Sequence, residues 1–277
     1  MRRPNERPVG AVAIRLHAVI HGVGPPVLIL HGFSGSTETM AGVADRLSDW
    51  HRTLRLDLVG HGRSEAPDEV AHYSMERCVE QIVAALDILE LPSVHVIGYS
   101  MGGRAGLALA AWQPQRVRSL LLVGASAGLE AASERAARRR SDEALADRIE
   151  RIGLEAFVER WMALPLFTSQ ARLGPEWLER ARQQRLSNSP VGLANSLRGM
   201  GTGAQPALHD HLGEIDVPVC WVAGQQDEKF SHLAEELAAR CRYGRVCLIP
   251  ASGHACHLEE PAAFAEIARK HIERAEE

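Results

Sequence analysis

Cysteine, long apolar runs and an excess of either charge are all scarce in this chain of 277 residues. The five cysteines, Cys78, Cys220, Cys241, Cys247 and Cys256, are odd in number and scattered. That pattern argues against a disulfide framework and fits reduced thiols in a cytoplasmic protein. The longest apolar stretches, such as 105–112 and 120–123, fall far short of the roughly 18 residues that span a bilayer. The chain opens Met1-Arg2-Arg3, but Arg15 and His17 interrupt the apolar run that a signal peptide requires, so no export is expected. Lys+Arg 31 against Asp+Glu 35 leaves a net charge of −4, with no basic excess to recruit nucleic acid or an anionic membrane. Lysine occurs only at Lys229 and Lys270, so arginine carries almost all the positive charge. Repeats and low-complexity segments are missing too. With 45% hydrophobic and 24% charged residues, the composition is that of an ordinary soluble globular protein. At about 150 residues per domain, the length suits one large domain or one domain with a substantial insertion. A chain of this size buries roughly three quarters of its unfolded surface, so it needs neither disulfides nor a metal to hold its core.

Short apolar runs alternate with amphipathic stretches, the signature of strands joined by helices into a mostly parallel sheet. Strands are predicted over 12–20, 26–30, 53–58, 94–98 and 117–124. Helices are predicted over 36–50, with Ser36 as an available cap, over 74–89 and over 101–112. From about Ala127 to Asp210 the alternation stops, and helical patterns punctuated by Gly and Pro take over. Alternation then resumes with a strand over 217–224, a helix over 231–240, a strand over 246–250 and a closing helix over 259–275. The expected organisation is therefore a core formed by 1–126 and 211–277, with 127–210 as a helical cap. Residues 135–151 are rich in arginine, which on an inserted helix points to a solvated face.

Gly98-Tyr99-Ser100-Met101-Gly102 matches G-x-S-x-G at a point where the pattern turns from strand to helix. Small residues around Ser100 permit the sharp turn that lifts a hydroxyl out of a sheet, and Gly103 lets the helix pack close behind. A serine hydroxyl is inert at neutral pH until a base takes its proton, and the base needs an acid to hold its tautomer. Asp227 and His254 each follow a predicted strand and so lie at the same sheet edge as Ser100. Glu228 is a rival for the acid and His257, read as packing below the site, a rival for the base. Charge developing on a substrate oxygen needs fixed donors, for which the backbone N–H groups of Met101 and Phe33 are candidates. Asp57 is read as bracing its own loop. Arg104, four residues after Ser100 on the following helix, falls on the same face one turn on. An ester pocket has no use for such a cation, whereas carboxylates suit a guanidinium fork; the bland alternative is a surface ion pair.

Other motifs carry no chemistry. Gly199-Met200-Gly201-Thr202-Gly203-Ala204 follows a helical pattern where a dinucleotide site needs a strand. His254-Ala255-Cys256-His257 and His209-Asp210-His211 lack metal-site spacing and further ligands. No metal and no cofactor is expected.

The serine, aspartate, histidine order is that of α/β-hydrolases. Within that fold the sequence resembles the 2-succinyl-6-hydroxy-2,4-cyclohexadiene-1-carboxylate synthases of menaquinone biosynthesis. The resemblance rests on His31-Gly32-Phe33-Ser34-Gly35, on Gly98 to Arg104 and on Asp227-Glu228-Lys229-Phe230. It extends to Arg138-Arg139-Arg140-Ser141-Asp142, Trp161-Met162-Ala163-Leu164-Pro165-Leu166-Phe167 and Arg185-Leu186-Ser187-Asn188 in the helical segment. It implies an α/β-hydrolase fold and a lyase that removes pyruvate from 2-succinyl-5-enolpyruvyl-6-hydroxy-3-cyclohexene-1-carboxylate, with the serine as base. Carried over by motif, it implies Ser100, Asp227 and His254 as the triad and Phe33 and Met101 as oxyanion donors. Tyr99, Arg104, Arg138, Trp161 and Arg185 would hold a polycarboxylate substrate. Arg139 and Arg140 adjoin Arg138 and leave its register open, and Trp161 alone would also suit the core of the cap. The competing readings are a serine hydrolase of the same fold, either a carboxylesterase or a carbon–carbon bond hydrolase, and a non-catalytic binding module.

Overall fold

The computed structural model describes residues 5–9 and 14–277. Residues 1–3, with the basic Arg2 and Arg3, and the first two residues of the strand predicted over 12–20 lie outside them. The described chain forms an eight-stranded sheet of order β1-β2-β4-β3-β5-β6-β7-β8. The strands are β1 (Asn5–Val9), β2 (Leu16–His21), β3 (Pro26–Leu30), β4 (Arg52–Leu56), β5 (Val94–Tyr99), β6 (Val117–Val123), β7 (Val219–Gly224) and β8 (Gly244–Ile249). β1 and β2 form an antiparallel hairpin at one edge, with β2 also antiparallel to β4, and β3 through β8 run parallel, each to its neighbour in the sheet.

Both faces of the parallel strands are covered, which is why they read as nearly unbroken apolar runs. Helices α2 (Met75–Ile88), α3 (Met101–Trp112) and α8 (Glu228–Arg240) bury Cys78, Ile82, Leu107 and Leu237 on one face. On the other, α1 (Ala41–Leu47) and α10 (Pro261–Glu276) bury Val43, Leu47, Phe264 and Ile272 against Val27, Ile29 and Val222. Between β6 and β7 lie α4 (Ala132–Ile152), α5 (Leu154–Met162), a 3-10 segment (Pro165–Leu173), α6 (Pro175–Leu186) and α7 (Pro190–Met200). These inserted helices have a small core of their own around Ile149, Phe157, Val158, Leu193 and Leu197. Among the described residues no helix is long and apolar enough to cross a membrane.

The strands predicted over 12–20 and 217–224 begin at Leu16 and Val219, and the helix over 36–50 and the strand over 53–58 are both cut short by one connected set of contacts. The helix predicted from Ser36 starts only at Ala41, with Met40 at the N-cap position and no side-chain cap. Thr39 Oγ1 donates to Ser36 O and accepts from Ser36 N–H, which closes a local turn that competes with helix. Thr37 N–H is meanwhile taken by Asp57 Oδ1 at 2.5 Å. Asp57 Oδ2 accepts from Arg63 N–H at 2.8 Å, and Leu58 N–H donates to His31 Nε2 at 3.0 Å. These bonds pull the chain out of β4 at Leu56, two residues before the predicted end.

The connections bring four chain segments to one sheet edge. Phe33 follows β3, Ser100 follows β5, Asp227 follows β7 and His254 follows β8. Strand order reverses between β3 and β5, the switch point at which open α/β sheets form their ligand crevice.

Candidate active site

Ser100 occupies the turn between β5 and α3 with φ 50° and ψ −105°, a strained conformation for a residue with a side chain. The close packing of Gly102 makes the turn possible. A Cβ there would stand 2.5 Å from the carbonyl oxygens of both Leu30 and His31. Ser100 N–H donates to Val123 O at 2.8 Å, and Ser100 O accepts Arg104 N–H as the helix begins.

Asp227 does two things with one carboxylate. Its Oδ1 accepts Phe230 N–H at 3.2 Å and so caps α8, which starts at Glu228 and not at Ser231. Its Oδ2 lies 2.7 Å from His254 Nδ1, and both side chains are almost fully buried. The proton of that bond belongs on Nδ1, which leaves Nε2 unprotonated and able to accept a proton. Glu228 is exposed. His257 is buried with neither ring nitrogen hydrogen-bonded, packed 4.3 Å from the Tyr99 ring, and burial lowers its pKa to about 3. Gly124 leaves room for the His254 imidazole, since a Cβ there would stand 2.8 Å from Cε1. Ser100 Oγ makes no hydrogen bond among the described residues.

The loop after β3 is braced by His31, whose Nδ1–H donates to Gly32 O at 2.8 Å while Nε2 accepts from Leu58. Burial pushes its pKa down to about 4, so the ring stays neutral in this role. Phe33 N–H and Met101 N–H have no acceptor among the described residues, which leaves both available to a substrate oxygen.

The predicted binding residues fall into two groups. Tyr99 packs against the imidazoles of His254 and His257, while Trp161 and Arg185 meet at the Phe167 ring. Tyr99 stands 5.5 Å from His254, Trp161 stands 5.2 Å from Phe33 and 5.8 Å from Phe167, and the Arg185 guanidinium lies 6.0 Å from the Phe167 ring. The buried Trp161 Nε1 and Arg185 Nε have no hydrogen-bond partner. Burial lowers the Arg185 pKa and raises that of Tyr99. The second group is Arg104 and Arg138. Arg104 is 8% exposed, and its Nη1 donates to Met200 O and Gln205 Oε1, both at 2.7 Å. Burial first, and the charge of Arg138 second, lower its pKa to about 10. Arg138 is exposed and paired with Asp142 one helical turn on, at 2.7 Å. Arg139 is tied to Gly203 O at 2.8 Å. Neither Arg104 nor Arg185 has a carboxylate within 4 Å among the described residues, although an uncompensated buried cation is costly.

A cavity of about 390 Å³ runs past Asp227 and His254 to Leu166, Thr168 and Ser169 of the insertion. A second, of about 510 Å³, lies between α1 and α6, with Arg185, His257 and Trp177 in its wall. Several residues that shape the site carry no local signal in the sequence. Asn188 accepts Gly62 N–H through Oδ1 at 2.9 Å and donates to Ser34 O at 3.1 Å, pinning the insertion to the loops after β3 and β4. Glu259, buried beside Gly253, is another. Their roles depend on partners far away in the chain.

The order of the sheet, the strained turn at Ser100 and the paired Asp227 and His254 beyond β7 and β8 match the α/β-hydrolase class. A family model of the α/β-hydrolase fold matches residues 25–261. A Bacillus subtilis (strain 168) protein, which bears the name 2-succinyl-6-hydroxy-2,4-cyclohexadiene-1-carboxylate synthase provisionally, is 43% identical over 87% of this chain and 88% of its own length. The synthase of that name from Klebsiella pneumoniae is 33% identical over 86% of this chain and 90% of its own. The solved structure of MenH from S. aureus superposes with a TM-score of 0.89 at 32% identity, over 94% of this chain and 99% of that one. The chain belongs to the α/β-hydrolase fold family and, within it, to the 2-succinyl-6-hydroxy-2,4-cyclohexadiene-1-carboxylate synthases.

Proposed function

We propose that this protein is a carbon–oxygen lyase of menaquinone biosynthesis. It eliminates pyruvate from 2-succinyl-5-enolpyruvyl-6-hydroxy-3-cyclohexene-1-carboxylate and leaves 2-succinyl-6-hydroxy-2,4-cyclohexadiene-1-carboxylate. Ser100 Oγ, relieved of its proton by His254, abstracts a proton from the ring. The released electron pair forms the new ring double bond as the carbon–oxygen bond to the enolpyruvyl group breaks. Enolpyruvate departs, takes up the proton held by the His254 imidazolium and tautomerises to pyruvate, while Ser100 keeps the ring proton as its restored hydroxyl; no water is consumed and no acyl-enzyme forms. Asp227 keeps the imidazole in its working tautomer. The N–H groups of Phe33 and Met101 hold the oxygen on which negative charge accumulates. The inserted helices over 127–210 serve as a cap on the core of 1–126 and 211–277, and the enzyme works in the cytoplasm on a small polycarboxylate.

One observation carries this reading over simple ester hydrolysis: two guanidiniums, Arg104 and Arg185, are buried with no carboxylate partner of their own. A substrate with several carboxylates would relieve both, and Trp161 Nε1 adds a further unpaired donor. Incubating the purified protein with the enolpyruvyl substrate should release pyruvate in step with the absorbance of the conjugated diene. Rapid turnover of a panel of simple esters with no pyruvate released would overturn the assignment.

A further inference from the structure

We infer that Glu259 is a positioning residue that ties the base-bearing turn to the cap, so that closure of the cap and placement of His254 are one event. Glu259 ends α9 (Cys256–Glu259), five residues after His254, and its side chain is fully buried. Oε2 accepts the N–H of Gly253, the residue directly before His254, at 2.9 Å. Oε1 accepts the hydroxyl of Ser169 at 3.0 Å. Ser169 belongs to the 3-10 segment Pro165–Leu173 of the insertion, as does Arg172, whose Nη2 lies 3.7 Å from Oε2 and donates to Glu259 O at 3.2 Å. Arg172 Nη1 also reaches Glu260 Oε1 at 2.8 Å.

One carboxylate therefore has a bond on each side of the seam, and the same 3-10 segment walls the cavity that leads to His254. A buried carboxylate is held in place only while its partners satisfy it. If the segment lifts to admit substrate, Glu259 loses Ser169 and Arg172, and its grip on the Gly253 peptide loosens. Reseating the segment restores all three, and the imidazole returns to its working position over a substrate already enclosed. Catalytic geometry is sensitive at this scale, where a shift of about 1 Å can cost a hundredfold in rate.

This inference rests on the proposed reaction, and its test separates the two. The reaction itself is checked by pyruvate release from the wild-type protein. Glu259→Gln keeps the shape and removes the charge; it should lower kcat about tenfold or more with KM changed less than about threefold. Ser169→Ala should lower kcat about threefold to tenfold, and Ser169→Thr, which keeps the hydroxyl, should restore it. In the Glu259→Gln background Ser169→Ala should cost nothing further in kcat, because the coupling is already broken. Losses that multiply, a rise in KM with kcat intact, or a lower Tm with kcat per folded molecule unchanged would each overturn the inference. Should Glu259→Gln not fold, Ser169→Ala, Ser169→Thr and Arg172→Ala decide the matter: unchanged kcat in both alanine variants overturns it. If the wild-type protein releases no pyruvate, the proposed reaction falls, and the same cycle run on any ester it does turn over still judges Glu259.

Discussion

Replacing Arg104 with methionine keeps the apolar stem of the side chain and removes the guanidinium. Burial lowers the pKa of that group from an ordinary 12.5 to about 10. At about 1.4 kcal/mol per pKa unit, the cation is roughly 3 kcal/mol worse off in the empty site than in water. A substrate carboxylate meeting Nε and Nη2, which have no acceptor among the described residues, would return most of that. Arg104→Met should therefore weaken substrate recognition by about 3 kcal/mol, or about a hundredfold. Folding stability should change little, because two effects oppose each other. Relief of the buried charge offsets the roughly 1–3 kcal/mol lost by leaving Met200 O and Gln205 Oε1 without their donor. Pyruvate release read through a lactate dehydrogenase couple gives kcat/KM, and calorimetry in a Ser100→Ala background gives the Kd for intact substrate. Both should worsen by about the same factor, with Tm within a few degrees of the parent. A large fall in Tm with substrate affinity intact, or equal losses on the substrate and on any neutral ester, would refute the reasoning and make Arg104 a tether for the 200–205 turn.

Ser100→Ala should abolish elimination, and mass spectrometry of the wild-type protein quenched during turnover should find no acyl group on Ser100; a covalent adduct there would contradict the base role. Asp227→Asn should lower kcat by about a thousandfold or more while α8 stays capped, since asparagine caps as well as aspartate but stabilises the wrong imidazole tautomer; near-normal kcat sinks that role. His257→Phe should flatten the acid side of the stability profile. The unfolded imidazole takes up a proton near pH 6.5 and the buried one only near 3, so His257 subtracts stability as pH falls from 6.5 towards 3 and nothing at pH 7. Removing it should reduce the slope by up to about 1.4 kcal/mol per pH unit in that window, read from urea unfolding at pH 5.5 and 4.5; an unchanged slope would falsify the assignment of a neutral buried ring.

The parallel core was legible because its cause is local. Leu120 to Val123 must be apolar to be buried on both faces, and Cys78, Val79, Ile82, Ala85 and Leu86 must recur at helical spacing to cover one of them. What escaped depends on partners elsewhere in the chain. Asn5–Val9 is polar and contains Pro8, so nothing in it reads as a strand; it pairs as an antiparallel edge, where proline is tolerated. Residues 36–40 carry helical periodicity, yet Asp57, twenty residues away, claims the N–H of Thr37 and delays the helix. A carboxylate in another loop thus outbids intrinsic helix preference.

The candidate site divides the same way. The elbow at Ser100 was legible because the glycines that permit it are its immediate neighbours, and Asp227 and His254 because each directly follows an apolar strand. The arginines were legible only as residues and not as orientations. Spacing put Arg104 on the Ser100 face of α3, but its Nη1 is fixed by Met200 and Gln205, partners that no local pattern could indicate. Arg138 was open to a simpler reading, since Asp142 stands four residues on, and the structure makes that pair. The pair leaves Arg138 as a charge that depresses the pKa of Arg104 rather than as a free fork. On the proposed function, recognition would start from Arg104 and Arg185, neither of which has a carboxylate partner among the described residues, and Arg138 would be open only to a ligand that competes with Asp142 for its guanidinium.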